Sequence, residues 1–260
     1  MADPAKGGKA IFLNDIIQTN MKKKIIFWIR KQLKDSGAKG IVMGLSGGVD
    51  SAVVAALTKE ALGKGRFLAL ILPCHSQVQD IKDARLIAKQ LDIKTKTVDL
   101  SRIYDNLLRV IPQANRRALA NLKPRLRMLI LYYFANKLNY LVCGTGNKSE
   151  IMSGYFTKHG DGATDILPIG DLLKKQVRSL AKELKIPQHI IDKPPTAGLW
   201  PGQTDEGEMG ITYPELDDIL ERLENRRRQV LPKKKVDKVR EMIRRSEHKR
   251  QGPKICYILV

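Results

Sequence analysis

The stretch Ile41-Val42-Met43-Gly44-Leu45-Ser46-Gly47-Gly48-Val49-Asp50-Ser51 joins three signals within one short segment. A short apolar run lies between glycines, a Gly-rich turn follows, and residues rich in Ala, Val and Leu continue to Leu62. This pattern predicts a buried strand, a tight turn and a helix. The unit recurs: a strand at Phe67 to Leu72 precedes a helix at Gln77 to Gln90, with Ser76 expected as its cap, and a strand at Lys94 to Leu100 precedes a helix after Ser101. A fourth strand, Tyr140 to Cys143, follows a long helical stretch from about Gln113 to Leu138 and leads into a turn rich in Gly and Asn. Such alternation implies an α/β fold: an open parallel sheet with helices on both faces, in a single domain spanning residues 1–260.

Outward from this frame, Ile11 to Lys34 reads as an amphipathic helix, broken or bent inside and ended by Gly37 and Gly40, with residues 1–9 expected to be flexible. Residues 193–210 contain three Pro and four Gly and read as a long irregular loop, the usual form of a lid. Final helices are expected from about Tyr213 and from about Lys233.

The turn after the first strand carries chemistry because of its place. Ligands of an open parallel sheet lie beyond the carboxyl ends of the strands, where a helix N-terminus offers N–H groups and a positive dipole end to an anion. Gly47 and Gly48 allow the backbone to come close, while the hydroxyls of Ser46 and Ser51 can donate to phosphate oxygens. The spacing matches neither the Walker loop nor the dinucleotide fingerprint. The Asp50 carboxylate would repel phosphate unless a divalent cation lay between them, which points to Mg²⁺ bridging a polyphosphate.

Composition bounds the partners. The 260 residues include 47 Lys and Arg against 27 Asp and Glu, a net charge of +20 that favours anionic partners. Nucleic acid, an anionic membrane surface and phosphorylated small molecules all stay open on charge alone. Residues 221–250 hold 13 of the basic and 5 of the acidic residues, so the excess is enriched late but present throughout. No apolar run approaches a bilayer span, and the N-terminus lacks the apolar segment of a signal peptide. Cys74, Cys143 and Cys256 form no C-x-x-C pair, which indicates neither disulfides nor zinc and fits a reducing cytoplasm. Cys74 and His75 are adjacent on a strand end and should point to opposite faces, against a Cys/His catalytic pair.

Ser46-Gly47-Gly48-Val49-Asp50-Ser51 after a first buried strand resembles the pyrophosphate loop of the ATP pyrophosphatase superfamily, whose Rossmann-like adenine nucleotide alpha hydrolase fold serves adenylation. Downstream blocks narrow the substrate: Gly144 to Glu150, Gly154 to Lys174, and Lys193 to Trp200 followed by Gln203 to Glu206. With Asn121 to Arg125 and His248 to Arg250, they closely resemble the ammonia-dependent NAD synthetase family over about residues 10 to 252.

The resemblance implies that ATP adenylates the nicotinate carboxylate of deamido-NAD and that ammonia then displaces AMP. It implies Asp50 and Glu150 as Mg²⁺ ligands, and Gly44, Leu45, Ser46, Gly47, Gly48, Val49, Asp50 and Ser51 as the ATP loop, with Thr145, Lys174 and Thr196 also on ATP. It implies Arg125, Lys158, Asp165, His248 and Lys249 on deamido-NAD. Lys174 would neutralise charge at the attacked phosphate with Thr196 as hydrogen-bond donor, and Asp161 would orient ammonia or shape its glycine turn. Trp200 is read as an anchor of the lid or core rather than a stacking platform.

Pro124 and Gly198 depart from the family pattern as local loop features. Two rivals remain: a tRNA-modifying adenylating enzyme of the same superfamily, and a non-catalytic basic binding protein. No thumb-like RNA domain or paired catalytic cysteines are seen, so nucleic acid is not expected as a partner. The length leaves no room for a fused amidase domain, so free ammonia is the expected nitrogen source, with a separate glutaminase partner as the alternative. A homodimer is expected from the family.

Overall fold

The computed structural model describes residues 4–228 and 230–258, with residues 4–19 described as backbone only. Helix α1 (Pro4–Ser36) leads into strand β1 (Gly40–Gly44), and the phosphate turn then opens helix α2 (Val49–Leu62). Strand β2 (Phe67–Ile71) is followed by α3 (Val78–Gln90), and β3 (Lys94–Thr97) by α4 (Ser101–Val110). Helices α5 (Arg116–Ala120) and α6 (Leu122–Leu138) precede β4 (Tyr140–Cys143). Beyond it come α7 (Lys148–Ser153), α8 (Lys174–Glu183), α9 (Gln188–Ile191), α10 (Asp205–Met209), α11 (Tyr213–Glu224) and α12 (Lys233–Arg250).

The strands form one parallel sheet in the order β3-β2-β1-β4, with Met43 of β1 paired to Ala69 on one side and Cys143 on the other. Strand order turns back at β1, so the crevice between β1 and β4 is the switch point where such sheets bind ligands. Alternate residues divide the core. Ile41, Met43, Phe67 and Ala69 pack with α1, α2, α3 and α8, whereas Val42, Leu68, Leu70 and Val142 pack with α4 and α6 on the opposite face. A third apolar cluster joins α11 and α12, with Leu173 and Met209, and brings α11 against α7 and α8. Among the described residues no helix is long and apolar enough to cross a membrane.

Several local expectations change. Helix α1 runs unbroken, because Ile25, Ile26, Ile29 and Leu33 already make one buried stripe and the extra apolar residues Phe27 and Trp28 simply lie exposed. Of the segment expected to be flexible, residues 1–3 lie outside the described residues and α1 begins at Pro4. Ser76 does not cap α3, whose N-cap is Gln77; its hydroxyl instead accepts from the Cys74 N–H and from Arg127. The stretch from Gln113 divides at Asn121 into α5 and α6, and α5 is capped by Asn115, whose Oδ1 accepts the Ala118 N–H. The 193–210 loop contains the short α10, capped by Thr204.

Candidate active site

A cavity of about 650 Å³ opens beyond the carboxyl ends of β1, β2 and β4. Gly44, Leu45, Ser46, Gly48, Val49, Asp50 and Ser51 line it together with Thr145, Glu150, Lys174 and Thr196. Arg125, Lys158, Asp161, His248 and Lys249 line it as well. Residues scattered from 44 to 249 thus converge on one space. Gly47 and Asp165 do not line it.

The phosphate turn is held by its own hydroxyls. Ser46 Oγ and Ser51 Oγ lie 3.0 Å apart, Ser51 Oγ donates to the Gly48 carbonyl at 2.9 Å, and the Gly48 N–H donates to Ser46 Oγ at 3.3 Å. Gly48 is the N-cap of α2 with no side-chain cap, so the helix start keeps N–H groups for an anion. Gly47 has φ +83°, and a Cβ there would stand 2.3 Å from the Asp80 carbonyl oxygen. Its task is close packing against α3, which explains why it faces away from the cavity.

At the floor, Lys174 Nζ donates to Asp50 Oδ2 at 2.5 Å and to Glu150 Oε1 at 3.3 Å, and Asn147 Nδ2 donates to Asp50 Oδ1 at 2.9 Å. Lys174 is 2% exposed. Burial alone would lower its affinity for a proton, but Asp50 and Glu150 outweigh it and hold the ammonium charged. Burial pushes the Glu150 carboxyl up, the Lys174 charge opposes this, and Asp50 adds to the rise. Glu150 is set by a capping box at the start of α7, in which Asn147 Oδ1 accepts the Glu150 N–H and Glu150 Oε2 accepts the Asn147 N–H.

Among the described residues no cluster of three or more His, Cys, Asp or Glu is placed to hold a metal ion alone. Asp50 and Glu150 both reach Lys174 Nζ and both line the cavity, so two hard oxygen donors stand beside the phosphate turn, with phosphate oxygens and water to supply further positions. That is how Mg²⁺ is held in nucleotide sites, so the pair fits this ion.

The other end of the cavity is cationic. Arg125 Nε and Nη2 donate to the Lys158 carbonyl at 3.3 Å, and Lys158 Nζ to the His248 carbonyl at 2.5 Å. Lys249 Nζ donates to the carbonyls of Gly154 and Phe156 at 2.8 and 2.9 Å. Asp165 links β4 to α6: its Oδ2 accepts the Val142 N–H at 2.7 Å and its Oδ1 the Tyr132 hydroxyl at 3.0 Å. Asp161 Oδ1 accepts the Thr157 N–H at 2.9 Å, closing the glycine turn while facing the cavity.

The loop over the cavity is tied at several points. Thr196 Oγ1 donates to the Gln203 carbonyl at 2.8 Å and accepts from the Gly198 N–H, so its hydroxyl closes the loop upon itself. Arg116 stacks 4.3 Å over the Trp200 ring, and Lys123 Nζ donates to the Leu199 carbonyl at 2.7 Å. Trp200 therefore anchors the loop, as expected. His75 pairs with Asp105 at 2.7 Å, while Cys74 is buried, so the two do not act on one another.

Three features escape a reading of the sequence. Arg127 lines the cavity and braces the end of β2 through the Leu72 carbonyl at 3.0 Å. Lys193 binds Asp80 and Asp83 at 2.6 and 2.7 Å, tying the root of the loop to α3. The Tyr213 ring lies 4.9 Å from Lys174 Nζ, and its hydroxyl donates to Asp205 at 2.9 Å. Lys193 opens a block that carries the family resemblance, but neither its partners nor the placement of Arg127 and Tyr213 has a local signal.

The NAD synthase family model matches residues 21–253. The NH₃-dependent NAD⁺ synthetase of Carboxydothermus hydrogenoformans is 47% identical over 238 residues, covering 90% of this chain and 95% of the relative. The structure of NMN synthetase from Francisella tularensis matches with a TM-score of 0.85 at 39% identity, covering 93% of this chain and 99% of that one. The NH₃-dependent NAD synthetase structure from Campylobacter jejuni matches with a TM-score of 0.81 at 30% identity, covering 92% and 99%.

Proposed function

The chain belongs to the NAD synthase family, and from that membership we propose how its residues carry out the ATP-dependent amidation of deamido-NAD by ammonia. The enzyme is a carbon–nitrogen ligase, and its products are NAD⁺, AMP and pyrophosphate. One observation carries the assignment of roles: the buried Lys174 ammonium between Asp50 of the phosphate turn and Glu150.

A carboxylate is a poor electrophile, so it must first be activated. The nicotinate carboxylate oxygen attacks the α-phosphorus of ATP, and the bond from that phosphorus to the bridging oxygen of the β-phosphate breaks. The α2 N-terminus with Ser46 and Ser51 receives the phosphates, and Lys174 offsets charge that develops on them. Thr196, whose hydroxyl closes the overlying loop, keeps water out by holding that loop in shape. Ammonia then attacks the carboxyl carbon, the bond to the adenylyl oxygen breaks, AMP leaves and one proton is lost. Asp161 faces the cavity and orients the incoming nitrogen. Arg125, Lys158, His248 and Lys249 bind the deamido-NAD end, and Asp165 braces the end of β4 through the Val142 N–H. Asp50 and Glu150 would hold Mg²⁺, which neutralises polyphosphate charge when bound.

The 39% identity to a structure titled NMN synthetase favours a second reading, amidation of nicotinate mononucleotide at the same site. Incubation with ATP, Mg²⁺, ammonium and each substrate in turn, with products separated by chromatography, tests both. Equal yields of NAD⁺, AMP and pyrophosphate are expected with deamido-NAD. Release of ADP overturns the chemistry, and a higher kcat/KM for the mononucleotide selects the second substrate. Glutamine should not replace ammonium.

A homodimer belongs to the same proposal. It is supported by exposed apolar side chains, Leu129 and Tyr133 of α6 and Ile103 of α4, and light scattering tests it. The free cysteines support a cytoplasmic location.

A further inference from the structure

Helix α8 starts at the catalytic lysine, yet its N-cap residue is Leu173, which has no side-chain acceptor to offer. Its first two N–H groups are satisfied by side chains of two other helices, α7 and α11. Asp217 of α11 is 1% exposed and does not line the cavity. Its Oδ2 accepts the Lys175 N–H at 2.8 Å and its Oδ1 accepts the Ser149 hydroxyl at 2.5 Å. Ser149 Oγ in turn accepts the Lys174 N–H at 3.0 Å. One buried carboxylate therefore holds the Lys175 N–H and the Ser149 hydroxyl directly, and the Lys174 N–H through Ser149, the residue immediately before Glu150.

The arrangement is costly, because burying a carboxylate away from a full counter-charge is unfavourable. Burial pushes the Asp217 carboxyl up, and its hydrogen bonds with Ser149 and the α8 backbone oppose that rise. A Ser or Asn at the N-cap would satisfy the helix end more simply. What Asp217 adds is a rigid link between α7, α8 and α11. One turn earlier on the same face of α11, Tyr213 lies against the Lys174 ammonium, and its hydroxyl is 3.5 Å from Glu150 Oε1. Helix α11 thus fixes Lys174 at both ends, the backbone through Asp217 and the charged head through Tyr213.

We propose that Asp217 is a positioning residue of the amidation reaction: its carboxylate sets the first turn of α8 against α7, so that Lys174 Nζ is aimed between Asp50 and Glu150. The proposal rests on the function assigned above. A lysine head on a four-carbon stem holds its aim only if its Cα is fixed, and an error of about 1 Å at a reacting centre costs about a hundredfold in rate.

The test uses Asp217→Asn, with Ser149→Ala as the second variant. The Asn amide oxygen can still accept the Lys175 N–H, but its NH₂ then meets Ser149 Oγ and competes with the Lys174 N–H. At a temperature where circular dichroism shows the variant folded, kcat should fall about 10- to 100-fold while KM for deamido-NAD stays within about threefold. A merely structural role would lower the melting temperature and leave kcat per folded molecule unchanged; kcat within about twofold of the original protein overturns the proposal. If Asp217→Asn does not fold, Ser149→Ala decides, with a fall of about tenfold supporting the proposal and unchanged kcat overturning it. Failure of the unaltered enzyme to release AMP with deamido-NAD would defeat the assigned function instead, so the two failures are distinct.

Discussion

Lys174 Nζ lies 2.5 Å from Asp50 Oδ2, although 124 residues separate them in the chain. The contact fixes a positive charge against the turn that receives polyphosphate. Lys174→Met should therefore lower single-turnover pyrophosphate release by about 10²- to 10³-fold, the usual loss when a preorganised charge-stabilising group is removed. Lys174→Arg should not restore it, because a planar guanidinium does not fit a space shaped for a compact ammonium. Recovery to within tenfold by arginine would remove the point-charge role.

Asp50→Asn should abolish turnover in a protein that still folds, with a lowered melting temperature because the buried Lys174 ammonium keeps only Glu150 as a charged partner. The Asn147 Nδ2 contact needs only an acceptor oxygen at this position, which the amide supplies. Titration with Mg²⁺ at saturating ATP is the check: near-normal activity at high Mg²⁺ would take Asp50 out of the metal site. Chelation by EDTA should stop turnover without unfolding, since the two carboxylates are already braced by Lys174.

Gly47→Ala should lose ATP binding measured by calorimetry. The new Cβ would meet a backbone carbonyl, not a movable side chain, and the positive φ adds strain. Either the phosphate turn or the first turn of α3 must shift. Unchanged ATP affinity would mean that the turn tolerates displacement from α3.

Lys193→Met should loosen the 193–210 loop, seen as faster limited proteolysis, and cost about 1–3 kcal/mol at neutral pH by stranding the buried Asp83 carboxylate. Burial would raise the Asp83 carboxyl, but hydrogen bonds from Lys193 and Gln79 outweigh it and place it below its ordinary 3.8. The folded value is thus the lower one. The stabilisation is complete above the unfolded value and disappears as pH falls through the folded one. The gap in stability between the two proteins should therefore narrow below 3.8. A gap that widens in acid would contradict the pairing.

Local signals carried the strand–turn–helix frame, because β1, β2 and β4 are short apolar runs, β1 and β4 are bounded by glycine or asparagine, and the phosphate turn is six contiguous residues. The strand at Lys94 was read too long: Val98 and Leu100 are apolar because they pack on the core, beyond the last pairing at Thr97. Asp217 was invisible for a physical reason. A lone carboxylate on a helix looks like solvated surface until packing shows that it is 1% exposed and bonded to another helix. The same holds for Lys193, whose partner Asp83 lies 110 residues away. Asp165, implied as a ligand contact, does not line the cavity; its oxygens accept the Val142 N–H of β4 and the Tyr132 hydroxyl.

Arg125, Lys158 and Lys249 direct their hydrogen bonds to backbone carbonyls, and none has a carboxylate partner among the described residues. A carbonyl orients a cation without cancelling its charge, so this end of the cavity stays electropositive, while at the other end the single Lys174 ammonium faces two carboxylates. The consequence is kinetic. Encounter with an anionic dinucleotide is steered from a distance, and its rate should drop as added salt shrinks the screening length from about 30 Å at 0.01 M to about 8 Å at 0.15 M. The opposite end, where one ammonium faces two carboxylates, adds no such long-range attraction.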